Sequence, residues 1–362
     1  MRNILKENFL VSTFLVFYLI HSMQIGIGVL DFRSISQHAG QDAWISIIIS
    51  GLSIHIILWL LYQILNNGKG DLIAIHKELF GKWIGGLFSF LFVIYLLILG
   101  FTVLRVYVEI IQLWVFPQLS VWFFSFVLLL TVSYFVIKGF RVVTGICFLS
   151  TLYLVPILLT FLFPLKFAHY SNLLPIMDHS MTDILGSARN ATLTMSGFEL
   201  IFIFYPFIKR PDKSAKWAHL AILSTTLIYV VLALITFVFY NQDQLQHMLW
   251  STVMFWKIIE LPAIERLEHL GIAIWLFIVL PNICLTLWGA HRGLGQLIPI
   301  NKRVLIIILI SALVAVSALF ETRSMIDQLR AFTGEISFYF IYGYIPFLFI
   351  LQKIIYKIRG NN

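Results

Sequence analysis

The chain has 362 residues, 60% hydrophobic and 12% charged, with a formal net charge of +8 and a mean hydropathy of +0.93. A soluble domain carries about 25% charged residues, so this composition excludes a soluble globular protein and requires a surface that meets lipid. The basic excess does not read as a nucleic-acid footprint, because Lys and Arg fall in short clusters between apolar runs, where they orient membrane segments.

At a rise of about 1.5 Å per residue, about 20 apolar residues cross a bilayer as helix. The first run, 9–36, follows Arg2 and Lys6, lacks an A-x-A-like cleavage site and continues past Gly28, so it reads as a retained span rather than a signal peptide. Further spans are expected at 43–65, 84–115, 119–138 and 142–164, the third being long enough to tilt or protrude. A second set follows at 182–208, 216–240, 269–291, 303–320 and 336–357. The expectation is therefore an all-α polytopic membrane protein of about ten spans, a single domain over 1–362. Its halves cover about 1–165 and 182–357.

With the N-terminus inside, 17 of the 25 Lys and Arg fall in cytoplasmic segments, and an even number of spans puts both termini there. Longer connections are expected inside at 66–82, with an amphipathic stretch Asp71–Phe80, and outside at 165–181 and 241–268. The last of these, with Trp250, Trp256, Glu260, Pro262, Glu265 and Glu268, reads as interfacial helices, since Trp favours the headgroup level.

Two spans carry interruptions. The first contains Gly26-Ile27-Gly28-Val29-Leu30, where two glycines two residues apart weaken a helix. The sixth contains Ser196-Gly197-Phe198-Glu199, about half the chain further on. Paired interruptions at matching positions point to an inverted-repeat transporter fold with a midplane site. Unwound backbone must line an enclosed cavity, and freed N–H groups at a half-helix start suit a carboxylate. The plainer reading is that Gly26 and Gly28 let neighbouring helices approach. Phe198 stands where a ring covers a ligand, and Phe202, one turn on, serves as a lipid-facing control.

Glu199 is an intramembrane carboxyl among apolar side chains, which must be protonated, paired or hydrated. It reads either as a proton-linked gate or ligand-amine contact, or as a cap on unwound backbone. Arg105 and Glu109, one helical turn apart, form either a self-contained pair or an outer gate; Arg189 resembles them. His21 and His55 lack a second ligand at i+4, and Cys147 and Cys284 show no metal or disulfide spacing, so all four read as packing residues. No nucleotide-binding or hydrolase motif is present, so the chain reads as neither an enzyme nor a cofactor or metal protein.

The ten-span layout, IGIGVL in the first span and SGFE in the sixth resemble the amino acid–polyamine–organocation transporters. Within that superfamily the chain is similar to the spore-germination permease family, the B subunits of nutrient germinant receptors. The narrower likeness rests on length, Gly81-Lys82-Trp83-Ile84-Gly85, Arg105 with Glu109, and Ile264-Glu265-Arg266-Leu267-Glu268 followed by Trp275. The resemblance implies a LeuT-like five-plus-five inverted repeat in the inner membrane of a spore, beside an A subunit and a lipoprotein C subunit. It implies a small nutrient, usually an amino acid, bound by Gly26–Leu30 and Ser196–Glu199, which triggers germination. The sixth-span position that is aromatic in many transporters of the superfamily is Ser196 here. The alternative is a proton-coupled amino-acid permease.

Overall fold

The computed structural model describes residues 10–259 and 266–360. Arg2, Lys6, Glu260, Pro262, Ile264 and Glu265 lie outside the described residues. Among the described residues the chain is helical and forms no strand; an isolated bridge joins Val11 to Ile208.

The helices are α1 (Leu15–Gln24), α2 (Ala43–Asn67), α3 (Leu72–Trp114), α4 (Val121–Lys138), α5 (Phe140–Thr160) and α6 (Met181–Asn190). There follow α7 (Ala215–Phe239), α8 (Leu267–Leu297), α9 (Lys302–Ser317), α10 (Arg323–Phe338) and α11 (Ile345–Gly360). Among the described residues, seven segments are long and apolar enough to cross a membrane: those built on α2, α3, α4, α5, α7 and α8, and the run Arg323–Gly360. The remaining expected spans coincide with shorter helices: α1, the interrupted Thr192–Phe207, and α9.

Local chemistry sets several of these boundaries. Asp71 caps α3 by accepting from Ala74 N–H at 3.2 Å, and Ser180 with Asp183 forms a capping box on α6. The amphipathic stretch 71–80 is helical and runs into the third span through Gly81, whose φ of +78° turns the axis. The tenth span starts earlier than its hydropathy suggests. Amphipathic α10 precedes it, and a π-helical turn, Tyr339–Tyr344, joins α10 to α11.

α1 lies on α7 and α5, and α2 lies on α7, α6 and α11. α3 lies along α8, α4 on α9, α5 on α8, and α10 on α3 and on Thr192–Met195. The α3–α8 seam is close because a Cβ on Gly100 would fall 2.2 Å from Thr286 Oγ1, so only hydrogen fits there. Large apolar side chains such as Trp83, Trp122, Leu130 and Leu159 face outward, as a lipid-facing belt requires.

The two ends of the bundle use different residues. At one end Arg292 pairs with Asp71 at 3.2 Å, and Lys77 donates to the Gln296 carbonyl at 3.4 Å. These basic residues belong to the set expected on the cytoplasmic side. At the other end of α3, His269 Nε2 meets the Trp114 carbonyl at 2.9 Å. Within the 241–268 connection, the described stretch 241–259 departs from expectation there. Trp250 and Trp256 are 1% exposed, with Trp256 stacked on Phe161 and donating to Thr160 Oγ1 at 2.8 Å. They are core residues, because the loop folds back over α8, where Gly271 leaves room for the Trp256 ring.

Candidate functional site

Both sequence interruptions are real breaks. α1 ends at Gln24, Gly26 is extended, and the chain resumes as a single tight turn, Ile27–Leu30. Side chains from other helices take up the freed carbonyls. Tyr229 on α7 donates to the Gln24 carbonyl at 2.9 Å, and Asn282 on α8 donates to the Ser22 carbonyl at 2.9 Å. Gln24 Nε2 reaches across to the Met195 carbonyl at 2.8 Å, tying the first break to the sixth span.

In the sixth span, Thr192–Met195 stops at Ser196, and Gly197 takes φ +104°, a left-handed conformation that favours glycine. This break is capped largely from within. Glu199 Oε2 accepts from Gly197 N–H at 2.8 Å, and Oε1 accepts from the Tyr95 hydroxyl of α3. The Glu199 side chain is fully buried, and no ion pair of the described residues includes it.

A cavity of about 60 Å³ lies between the breaks. Its lining includes Gln24, Gly26, Ile27 and Gly28 from the first span, Thr194 and Ser196 from the sixth, Thr102, Asn282 and Arg330. Val29, Leu30 and Phe198 are absent from that lining and fully buried. Gly197 and Glu199 sit behind the wall, with the carboxyl turned toward Tyr95. Gln24 Oε1 is a buried acceptor without a hydrogen-bond partner among the described residues.

The cavity meets a larger vestibule of about 870 Å³, which shares Leu193, Thr194 and Arg330 with it. Arg330 pairs with Asp31 at this junction and lies over the Trp250 ring, 5.1 Å from its centroid. A line of alternating charge runs on from there. Arg330 lies 3.8 Å from Asp327, which pairs with Arg323 at 3.0 Å, and Arg323 pairs with Glu109 at 2.7 Å. Glu109 thus pairs with α10, not with Arg105. Arg105 is buried, donates from Nε to the Phe320 carbonyl at 2.7 Å, and has two further nitrogens without a partner among the described residues. Arg189 pairs with Glu335 at 3.5 Å at the vestibule rim.

Away from the vestibule, the segment before α1 is tied to the end of the sixth span. Val11 N–H donates to the Phe207 carbonyl at 2.8 Å, and Lys209 N–H donates to the Val11 carbonyl at 3.0 Å. Arg292 lies over Phe207 at 4.5 Å, and Tyr62 bonds Ser214 at 2.7 Å. His21 bonds Thr225 at 2.9 Å and His55 bonds His219 at 2.8 Å, both outside the cavity lining.

The family follows from comparison with known proteins. A family model described as "Spore germination protein" matches residues 10–326. The chain belongs to this family. It is 39% identical to spore germination protein GerQB of Bacillus cereus, over 96% of this chain and 97% of that one. It is 21% identical to spore germination protein YndE of Bacillus subtilis over 91% of this chain and 92% of the relative. Spore germination protein B2 of Bacillus subtilis is 22% identical over 79% of each. This is a spore-germination protein with multi-pass membrane character.

Sequence reasoning missed Gln24, Thr102, Thr194, Asn282 and Arg330 as lining residues. Arg323, Asp327 and Arg330, at i, i+4 and i+7, carried a readable signal: one helical face of alternating charge ahead of an apolar span. Asn282 carried a weaker one, a lone amide beside Pro281 in an apolar run.

Proposed function

We propose that this chain is the nutrient-sensing membrane subunit of a spore germinant receptor, with its ligand in the cavity between the two helix breaks. The observation that carries the reading is that this cavity lies between the two breaks and shares Leu193, Thr194 and Arg330 with a charged vestibule. Such a cavity offers a small solute polar contacts from both broken spans.

The packing supports a five-plus-five inverted repeat over 1–165 and 182–357. Exchanging each helix with its counterpart five spans away turns α1 on α7 into α6 on α2, and α5 on α8 into α10 on α3. The α2–α7, α3–α8 and α4–α9 pairs exchange into themselves. On this reading both termini are cytoplasmic, the vestibule faces outward, and the membrane is the inner membrane of the spore. An A subunit and a lipoprotein C subunit are its partners. Glu109 holds α3 against the charged face of α10 at the outer end, and Arg105 holds it against the Phe320 carbonyl just before α10.

The ligand is a small amino acid. Arg330 offers its carboxylate a cation, and Gln24 Oε1 and Asn282 Oδ1 offer its ammonium acceptors. Glu199 has its own partners and acts behind the site.

Spores carrying Gly28→Val at wild-type protein level test the proposal. A Cβ at Gly28 would fall 2.7 Å from Thr194 and 2.8 Å from the Tyr229 hydroxyl, so the side chain fills the cavity wall. Nutrient sensitivity should fall at least about tenfold, equivalent to about 1.4 kcal/mol. Unchanged sensitivity would remove the cavity as the nutrient site. Uptake by proteoliposomes holding this chain alone would instead favour the permease alternative.

A further inference from the structure

A polar seam runs between α3 and α10 and is separate from the nutrient contacts. It starts at Thr102, which lines the midplane cavity and lies 2.7 Å from Thr333 across the seam. One turn further along the same side of the bundle, Ser337 Oγ lies 3.3 Å from the Tyr95 hydroxyl, which donates to Glu199. A second group approaches from the end of the bundle that holds the Asp71–Arg292 pair. The buried His76 bonds Ser89 at 2.9 Å and the Tyr344 hydroxyl at 2.6 Å. Between the two groups stands Phe340, its ring stacked 4.9 Å from Tyr95 and 5.3 Å from Tyr344.

We propose that Glu199 is a proton-binding site, reached from the vestibule through the Thr102–Thr333 and Ser337–Tyr95 hydroxyls and shut off from the opposite side by the Phe340 ring. Three observations meet here. A carboxyl in the membrane without a cation is a costly group, and such groups mark proton relays. Its neighbours are hydroxyls, each able to accept one proton while giving up another. Phe340 lies in the π-helical turn Tyr339–Tyr344, and turns of this kind occur mostly at functional sites.

The step balances without an added reagent. Vestibule water supplies a proton to the outer hydroxyls. Tyr95 passes its own hydroxyl proton to Glu199 Oε1 and takes one from Ser337. A water between successive α10 turns refills Ser337 from Thr333, since no hydrogen bond joins those two hydroxyls among the described residues. The carboxylate becomes a neutral acid, and reversal returns the proton to the same water. Tyr95 is the titratable group that faces Glu199 from α3. The neighbouring α1, α2, α8 and α10 place no charged side chain in a hydrogen bond or ion pair with it among the described residues.

Neutralising Glu199 weakens an acceptor of Gly197 N–H, so protonation loosens the sixth-span break. The site thereby links the pH at the vestibule to the wall of the nutrient cavity, yet its titration needs no nutrient.

The test is infrared difference spectroscopy of the full chain in oriented lipid vesicles, stepping pH with no nutrient present. Wild type should show a protonated-carboxyl band that rises as pH falls and shifts in heavy water. The band should be lost in Glu199→Gln and kept in Glu335→Gln, which alters an exposed vestibule carboxyl. Tyr95→Phe should slow its exchange by about tenfold. A pH jump on the vestibule side should act about tenfold faster than one on the opposite side, and Phe340→Ala should remove that difference. A spectrum without a titrating band assignable to Glu199, or equal access from both sides in wild type, would overturn the proposal. Because no nutrient is used, either result leaves the nutrient reading to its own test.

Discussion

The first-span and sixth-span breaks carry the same sequence signal, glycine at mid-membrane half a chain apart, but they are held open by different means. The first borrows its hydrogen bonds. Tyr229 and Asn282 reach in from α7 and α8 to cover its carbonyls, and Gly26 and Gly28 turn toward the cavity. The sixth is capped mainly from within, with Glu199 accepting from Gly197 N–H beside a left-handed glycine, while Gln24 of the first span covers its Met195 carbonyl. A break held by distant helices changes shape when those helices move. A self-capped break keeps its shape while its capping carboxyl stays charged.

The largest effect separates core from lipid beside the sixth break. Phe202 is fully buried, edge-on to Phe92 at 6.3 Å, so it is no lipid-facing control. Phe202→Ala should lower unfolding stability by about 3–5 kcal/mol, read as a drop in the thermal midpoint of the reconstituted protein. A loss below about 1 kcal/mol would return the ring to lipid.

Alanine at the two glycines divides the breaks directly. Gly197→Ala must adopt φ +104° with its Cβ 2.8 Å from that of Met23, a strain of about 1–3 kcal/mol. Gly26 is extended, and a Cβ there meets the Asn282 side chain, with Oδ1 nearest at 3.1 Å, so Gly26→Ala should keep more stability and lose more nutrient response. Equal stability losses would erase the distinction between a borrowed and a self-made break.

The smallest effect is Tyr229→Phe. It removes the donor to the Gln24 carbonyl and should cost about 1 kcal/mol, with nutrient response weakened in step. The same midpoint measurement checks it, and an unaltered midpoint would mean that another group covers that carbonyl.

Hydrophobic run length was enough to locate the seven long apolar helices among the described residues, because lipid allows few alternatives to helix, and the paired glycine motifs located the two breaks. That pairing put Gly26, Ile27, Gly28 and Ser196 together, and the structure lines one cavity with them. It could not separate these from Val29, Leu30 and Phe198, since one tight turn after Gly26 buries the next residues in the core. The partners of Glu109 and Glu199 were illegible for another reason. Arg323 and Tyr95 are distant along the chain and meet these carboxyls only through helix packing. Trp250 and Trp256 carried an interfacial composition, but loop folding made them core.

Thiol accessibility at Thr194 tests the central claim most directly, because this residue lines both vestibule and cavity. The native Cys147 and Cys284 are buried, so background labelling is low. In a Thr194→Cys chain, a membrane-impermeant thiol reagent added outside should label the new cysteine, and a mixture of amino acids should protect it, while a Val29→Cys chain stays unlabelled. Labelling from the cytoplasmic face alone, or labelling that a saturating amino-acid mixture leaves unchanged, would contradict the account.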